Sequence, residues 1–94
     1  MDIISVEHKG LKDFIQINDP KGLKQDQVSR LRNIVAMLIA APNMDGVAGP
    51  PGWRIHQLKG DRAGVWSISI TRNWRLTFRI EDDSIVNLNL EDYH

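Results

Sequence analysis

The side chains best suited to work on a phosphate lie in the C-terminal part of the sequence. Arg75 and Arg79 share the parity of one strand, so the two-residue period of extended chain puts both on one side. A guanidinium presents a planar fork that grips phosphate through two parallel hydrogen bonds. Lys59, near the end of the neighbouring strand, would complete a site for an anionic ligand. Arg79 also stands next to Glu81, Asp82 and Asp83, and a surface ion pair accounts for it as readily. His56, flanked by Ile55 and Leu58, carries a ring that gives or takes a proton near neutral pH. A lone histidine in a strand is more often a hydrogen-bonded spectator. The last four residues, Glu91-Asp92-Tyr93-His94, bring carboxylates, a phenol and an imidazole together. Chain ends commonly fray, but Val86, Leu88 and Leu90 tie this strand to the core until just before it. His56, Asp92 and His94 are also metal-ligand types. No two-histidine helical motif and no cysteine accompanies them, so no metal and no other cofactor is expected.

Charge is unevenly placed although the formal net charge is zero. Between positions 54 and 79 stand Arg54, Lys59, Arg62, Arg72, Arg75 and Arg79 against Asp61 alone. Glu81, Asp82, Asp83, Glu91 and Asp92 follow with no Lys or Arg among them. The basic block suits phosphate; a solvated sheet face with cross-strand ion pairs explains the same composition equally well.

These groups need elements to hold them. Ile3, Ile4 and Val6 read as a short opening strand, and His8 to Asn18 as a helix with Leu11, Phe14 and Ile15 on one face. The stretch 18–22 has the residue types of a turn. From Gln25 to Ala41, Val28, Leu31, Val35 and Leu38 recur at spacings of three and four, which predicts an amphipathic helix that Pro42 ends. Positions 42–52 are an irregular connector rich in Pro and Gly. Strands are predicted over Trp53–Leu58, Val65–Thr71, Trp74–Ile80 and Ile85–Leu90. The last three alternate apolar with Ser, Thr, Arg or Asn, so each has one buried and one wet face. Short connectors at 72–73 and 81–84 make an antiparallel meander. The expected fold is α+β: two N-terminal helices packed on one face of a twisted antiparallel sheet, leaving a polar face for a ligand.

Ninety-four residues make one domain, positions 1–94, with a modest core. No apolar run approaches a membrane span, and positions 1–9 lack the features of a secretion signal, so a cytoplasmic protein without membrane contact is expected. The lack of cysteine excludes disulfides and thiolate catalysis. No phosphate-cradling Gly-rich loop, dinucleotide fingerprint or Gly-x-Ser-x-Gly elbow is present.

Three segments together resemble one family. They are the His56-Gln57-Leu58-Lys59-Gly60 run, Asn73-Trp74-Arg75-Leu76-Thr77-Phe78, and the closing Asp92-Tyr93-His94. Trp66-Ser67-Ile68 and the early His8-Lys9-Gly10-Leu11 extend the likeness, which is to the HigB toxins of the RelE/ParE superfamily, over essentially the whole chain. The resemblance implies a RelE-like, microbial-RNase-like fold and a toxin of a type II toxin–antitoxin system that cleaves mRNA on the ribosome. It implies a HigA-like helix-turn-helix antitoxin, through which alone operator DNA is bound. It points to His56, Asp92, Tyr93 and His94 as the catalytic group, with Lys59, Asn73 and Arg75 in support and Arg79 added from the reading above. Two other readings stand beside it. A ParE-like gyrase poison shares the superfamily but has no use for an acid–base set, and a non-catalytic module would use the same polar face only to dock a protein.

Overall fold

The computed structural model describes residues 1–92. Helix α1 covers Lys9–Ile17 and helix α2 Gln25–Ala40. The His8 ring accepts the Leu11 amide at the start of α1, and Asn18 closes it in the left-handed conformation. Gly10 lies against Gly22, whose carbonyl and Cα occupy the space of a Cβ, so the turn after α1 folds back onto its first residues. The terminal amine of Met1 donates to the carbonyls of Leu38 and Ile39, placing positive charge at the C-terminal end of α2.

Four strands follow: β1 His56–Gln57, β2 Trp66–Thr71, β3 Trp74–Glu81 and β4 Ser84–Asp92. They form one antiparallel sheet in chain order. The opening segment runs parallel to β4 through bridges Ile3↔Ile85 and Val6↔Leu88. Leu11 and Phe14 of α1 and Leu31, Ile34 and Leu38 of α2 pack on Ile68, Ile70, Leu76, Phe78, Ile85, Leu88 and Leu90. The helices thus cover the apolar face, as the periodicity predicts.

Three details depart from the sequence reading, the first two for a backbone reason. The predicted strand Trp53–Leu58 shrinks to two residues. Pro50 and Pro51 lead a short 3-10 turn through Trp53, and Arg54 then takes left-handed backbone (φ 48°). Val86 does not join the helix-facing side. The β3–β4 register shifts between Thr77 and Arg79, and Asn87 has φ 54°. This bulge turns Ile85 and Leu88 to the helices and leaves Val86 opposite Arg79. The polar face is also not uniformly wet, since Ser67 and Thr77 are each only 2% exposed.

Candidate active site

Antiparallel register builds the polar face in rows. His56, Ser67, Thr77 and Asn89 are aligned across β1 to β4. One pleat further along, Ser69, Arg75 and Glu91 are aligned across β2 to β4. Cross-strand neighbours stand about 5 Å apart, so Arg75 and Glu91 face each other directly and His56 lies about 10 Å from Thr77.

The centre of the face is closed by a charged contact that the sequence reading did not single out. After β1 the chain makes a 3-10 turn, Gly60–Arg62, which carries Arg62 over the sheet. Its guanidinium meets the Glu91 carboxylate with two hydrogen bonds, 2.8 and 2.7 Å long. The Thr77 hydroxyl donates to the same carboxylate. The Arg62 hydrogen bond holds the Glu91 carboxyl below its usual range against the opposing effect of burial. The Thr77 hydroxyl and the charges of Arg62 and Arg75 act in the same direction as Arg62's bond. Glu91 raises Arg62 in return. Glu91 was visible only as one acid of the terminal group and Arg62 as one base of the basic block. Strand parity puts Glu91 on the polar side, but nothing local announces that a turn about thirty residues earlier delivers its partner.

His56 is exposed on β1, with Nδ1 2.6 Å from the Arg54 carbonyl oxygen. A carbonyl only accepts, so that nitrogen carries the proton and Nε2 is left as the basic nitrogen of the neutral ring. Arg75 is half-buried in the central row. Arg79 is on the same face but two pleats away, about 13 Å from Arg75, so the two do not form one clamp. Arg79 instead lines a side pocket of about 330 Å³ with Glu7, Arg62, Asn87 and Asn89. No salt bridge joins it to Glu81, Asp82 or Asp83 among the described residues.

Lys59 and Asn73 are exposed at opposite ends of the sheet. Lys59 follows Leu58, whose amide binds the Val65 carbonyl, whereas Asn73 is in the β2–β3 turn. The length of β2 separates them, about 20 Å. Asp92 ends β4 opposite Trp74, so alternation puts it on the other side of the strand from Glu91. Tyr93 and His94 lie outside the described residues. The structure therefore brings Arg75 together with Glu91, Arg62 and Thr77, keeps His56 on the same face, sets Lys59, Asn73 and Arg79 around its margins, and turns Asp92 to the other side of β4. No group of three or more metal-ligand side chains converges among the described residues.

Known proteins resemble this chain at two levels. A family model described as the RelE-like toxin of the type II toxin–antitoxin system HigB matches residues 4–94. An endoribonuclease HigB of Proteus vulgaris is 36% identical over 92 residues, covering 98% of this chain and 99% of that protein. Among solved structures, a mutant of YafQ from E. coli superposes with a TM-score of 0.63 at 17% identity, covering 98% of this chain and 93% of that one. The E. coli DinJ–YafQ complex gives 0.62 at 16% identity with the same coverage. The structural likeness, at such low identity, speaks for the fold.

Proposed function

The chain belongs to the HigB-like family of RelE-like toxins from type II toxin–antitoxin systems, and on that footing we propose that it is an endoribonuclease that cleaves mRNA on the ribosome. The observation that carries the reading is Arg75 on the polar sheet face, directly across from Glu91, in a chain that aligns end to end with an endoribonuclease. A guanidinium positioned there before substrate arrives can stabilise the charge that develops on the phosphorane, and such preorganised charge is the largest single contributor to many enzymes' rate enhancement.

RNA carries its own nucleophile. A base removes the proton of the ribose 2′-OH, the O2′–P bond forms, the P–O5′ bond breaks, and an acid protonates the departing 5′ oxygen. Two proton-transfer groups and a cation suffice, so the reaction is metal-independent. Arg75 meets the scissile phosphate, while Lys59, at the opposite end of β2, holds backbone farther along the RNA. His56, through Nε2, and His94 divide the acid–base work, each worth roughly 10²–10⁴-fold. Asp92 orients an imidazole, and Tyr93 stacks on a base or hydrogen-bonds near the phosphate. Asn73 and Arg79 contact flanking nucleotides from the two ends of the face.

Ribosome dependence follows from charge. Grip on free RNA grows with the number of phosphates neutralised, and this chain has no net charge to offer. The ribosome supplies the positioning that weak RNA binding does not. An antitoxin neutralises the toxin, as DinJ is found in complex with YafQ. The antitoxin is of the HigA-like helix-turn-helix type, and operator DNA is bound through that complex. No helix among the described residues is long and apolar enough to cross a membrane, which accords with action in the cytoplasm.

Expression of the chain without a partner, followed by primer extension on host transcripts, tests the reading. New 5′ ends inside translated regions are expected. Intact mRNA accompanied by DNA double-strand breaks would replace it with a gyrase-poison reading.

A further inference from the structure

Three arginines outside the central row converge on one cleft. It measures about 600 Å³ and lies at the β2 edge, beyond the point where β1 stops. Arg30 enters it from α2, Arg54 from the left-handed turn before β1, and Arg72 from the β2–β3 turn. Arg30 Nη1 donates 2.8 Å to the Ile70 carbonyl, at the place where the β2–β3 register shifts. One bond thereby anchors the guanidinium and leaves its other donors for a ligand. Ser69 and Thr71 line the same cleft, and Ser69 is the cross-strand partner of Arg75. Ser69 therefore borders both the cleft and the row that holds Arg75.

Its charge is largely uncompensated. Arg62 is tied to Glu91, but no carboxylate lies within salt-bridge distance of Arg30, Arg54 or Arg72 among the described residues. Asp26, in the first turn of α2, is the one acid lining the cleft, leaving an excess of two positive charges there. Guanidiniums gathered around a concave surface without carboxylate partners favour oxyanions that accept several hydrogen bonds at once.

We infer that this cleft is a second phosphate-binding subsite, which holds RNA backbone a few nucleotides away from the phosphate at Arg75. The inference rests on the nuclease reading and adds to it a defined path for the RNA, over the β2 edge and past the 72–73 turn. The same phosphodiester chemistry is offered by the mRNA strand and by ribosomal RNA.

Arg54→Glu/Arg72→Glu is the test, since neither side chain makes an ion pair inside the fold and Arg30's anchoring contact is kept. The control is Lys12→Glu/Lys21→Glu, an equal change in charge at exposed positions away from the sheet. Binding is measured against salt in two arms: a fluorescent single-stranded RNA oligomer, and ribosomes free of mRNA. Loss of two contacts to a single strand lowers the salt slope by about 1.4 and weakens binding roughly 25-fold at 0.1 M salt. That loss in the oligomer arm assigns the cleft to the mRNA, and in the ribosome arm to ribosomal RNA; the control changes neither by a comparable amount. A folded variant that binds both as the wild type does, or no more weakly than the control, overturns the inference. Wild-type cleavage of translated mRNA in parallel reports separately on the nuclease reading.

Discussion

Replacing Glu91 with Gln should destabilise the fold in a strictly pH-dependent way. The wild-type carboxylate takes two hydrogen bonds from Arg62, at 2.7 and 2.8 Å, and a third from the Thr77 hydroxyl. The Arg62 and Glu91 side chains are 42% and 23% exposed. A fully exposed pair contributes up to about 1 kcal/mol, and a hydrogen bond to a charged group about 1.5–3 kcal/mol. Discounted for solvent screening, the loss on Glu91→Gln is about 1–2 kcal/mol. For a chain of this size that corresponds to roughly 5–10 °C in Tm. The Glu91 carboxyl is held below its usual value of 4.5, first by the Arg62 hydrogen bond. Its unfolded form binds a proton more readily, so the stabilisation is complete above 4.5 and is lost as pH falls through the lower native value. Thermal unfolding of wild type, Glu91→Gln, Arg62→Met and the double variant across pH measures this directly. The cycle should give a coupling of about 1 kcal/mol near neutral pH, shrinking with salt and vanishing in acid. Equal Tm values at neutral pH, or a gap that persists in strong acid, would refute the reasoning.

Two further outcomes follow from backbone geometry. Asp82 and Asp83 both have positive φ, 50° and 58°, the pairing of a type I′ hairpin turn. Asp82→Asn/Asp83→Gly should therefore raise stability by about 0.5–1 kcal/mol in urea unfolding, and a lower midpoint would contradict the turn assignment. Gly10→Ala should lower stability by about 1–3 kcal/mol, because the new methyl overlaps the Gly22 backbone. Calorimetry showing an unchanged Tm would mean that the 18–22 turn does not pack on α1.

Much of the fold is written in short-range pattern. The spacing of Leu31, Val35 and Leu38 gives α2 to within a residue, and the alternation Trp74, Leu76, Phe78, Ile80 gives the buried side of β3. What escapes is backbone irregularity. Arg54 adopts a left-handed conformation that its residue type does not announce, and Asn87, a type that tolerates one, does so inside an alternating run that reads as plain strand; these two positions decide which face of β4 carries Val86 and how short β1 is. The site divides along the same line. Arg75 is legible because its parity and its Asn-Trp-Arg context are local. Its link to Glu91 is half legible, since an antiparallel meander must pair those strands but fixes the register only once the bulge is known. The Arg62–Glu91 contact spans 29 positions and a 3-10 turn, and has no local signature. The same long-range folding separates Lys59 from Asn73, which a list of motif residues presents as one group.

The most direct measurement is the cleavage rate of ribosome-bound mRNA by wild type and Arg75→Ala under conditions that keep the ribosome intact. The wild type should cut within translated regions. Arg75→Ala should lose on the order of 10²–10³-fold in turnover while retaining its fold and its binding to ribosomes. An Arg75→Ala chain that cuts as fast as wild type would remove the polar sheet face from the chemistry.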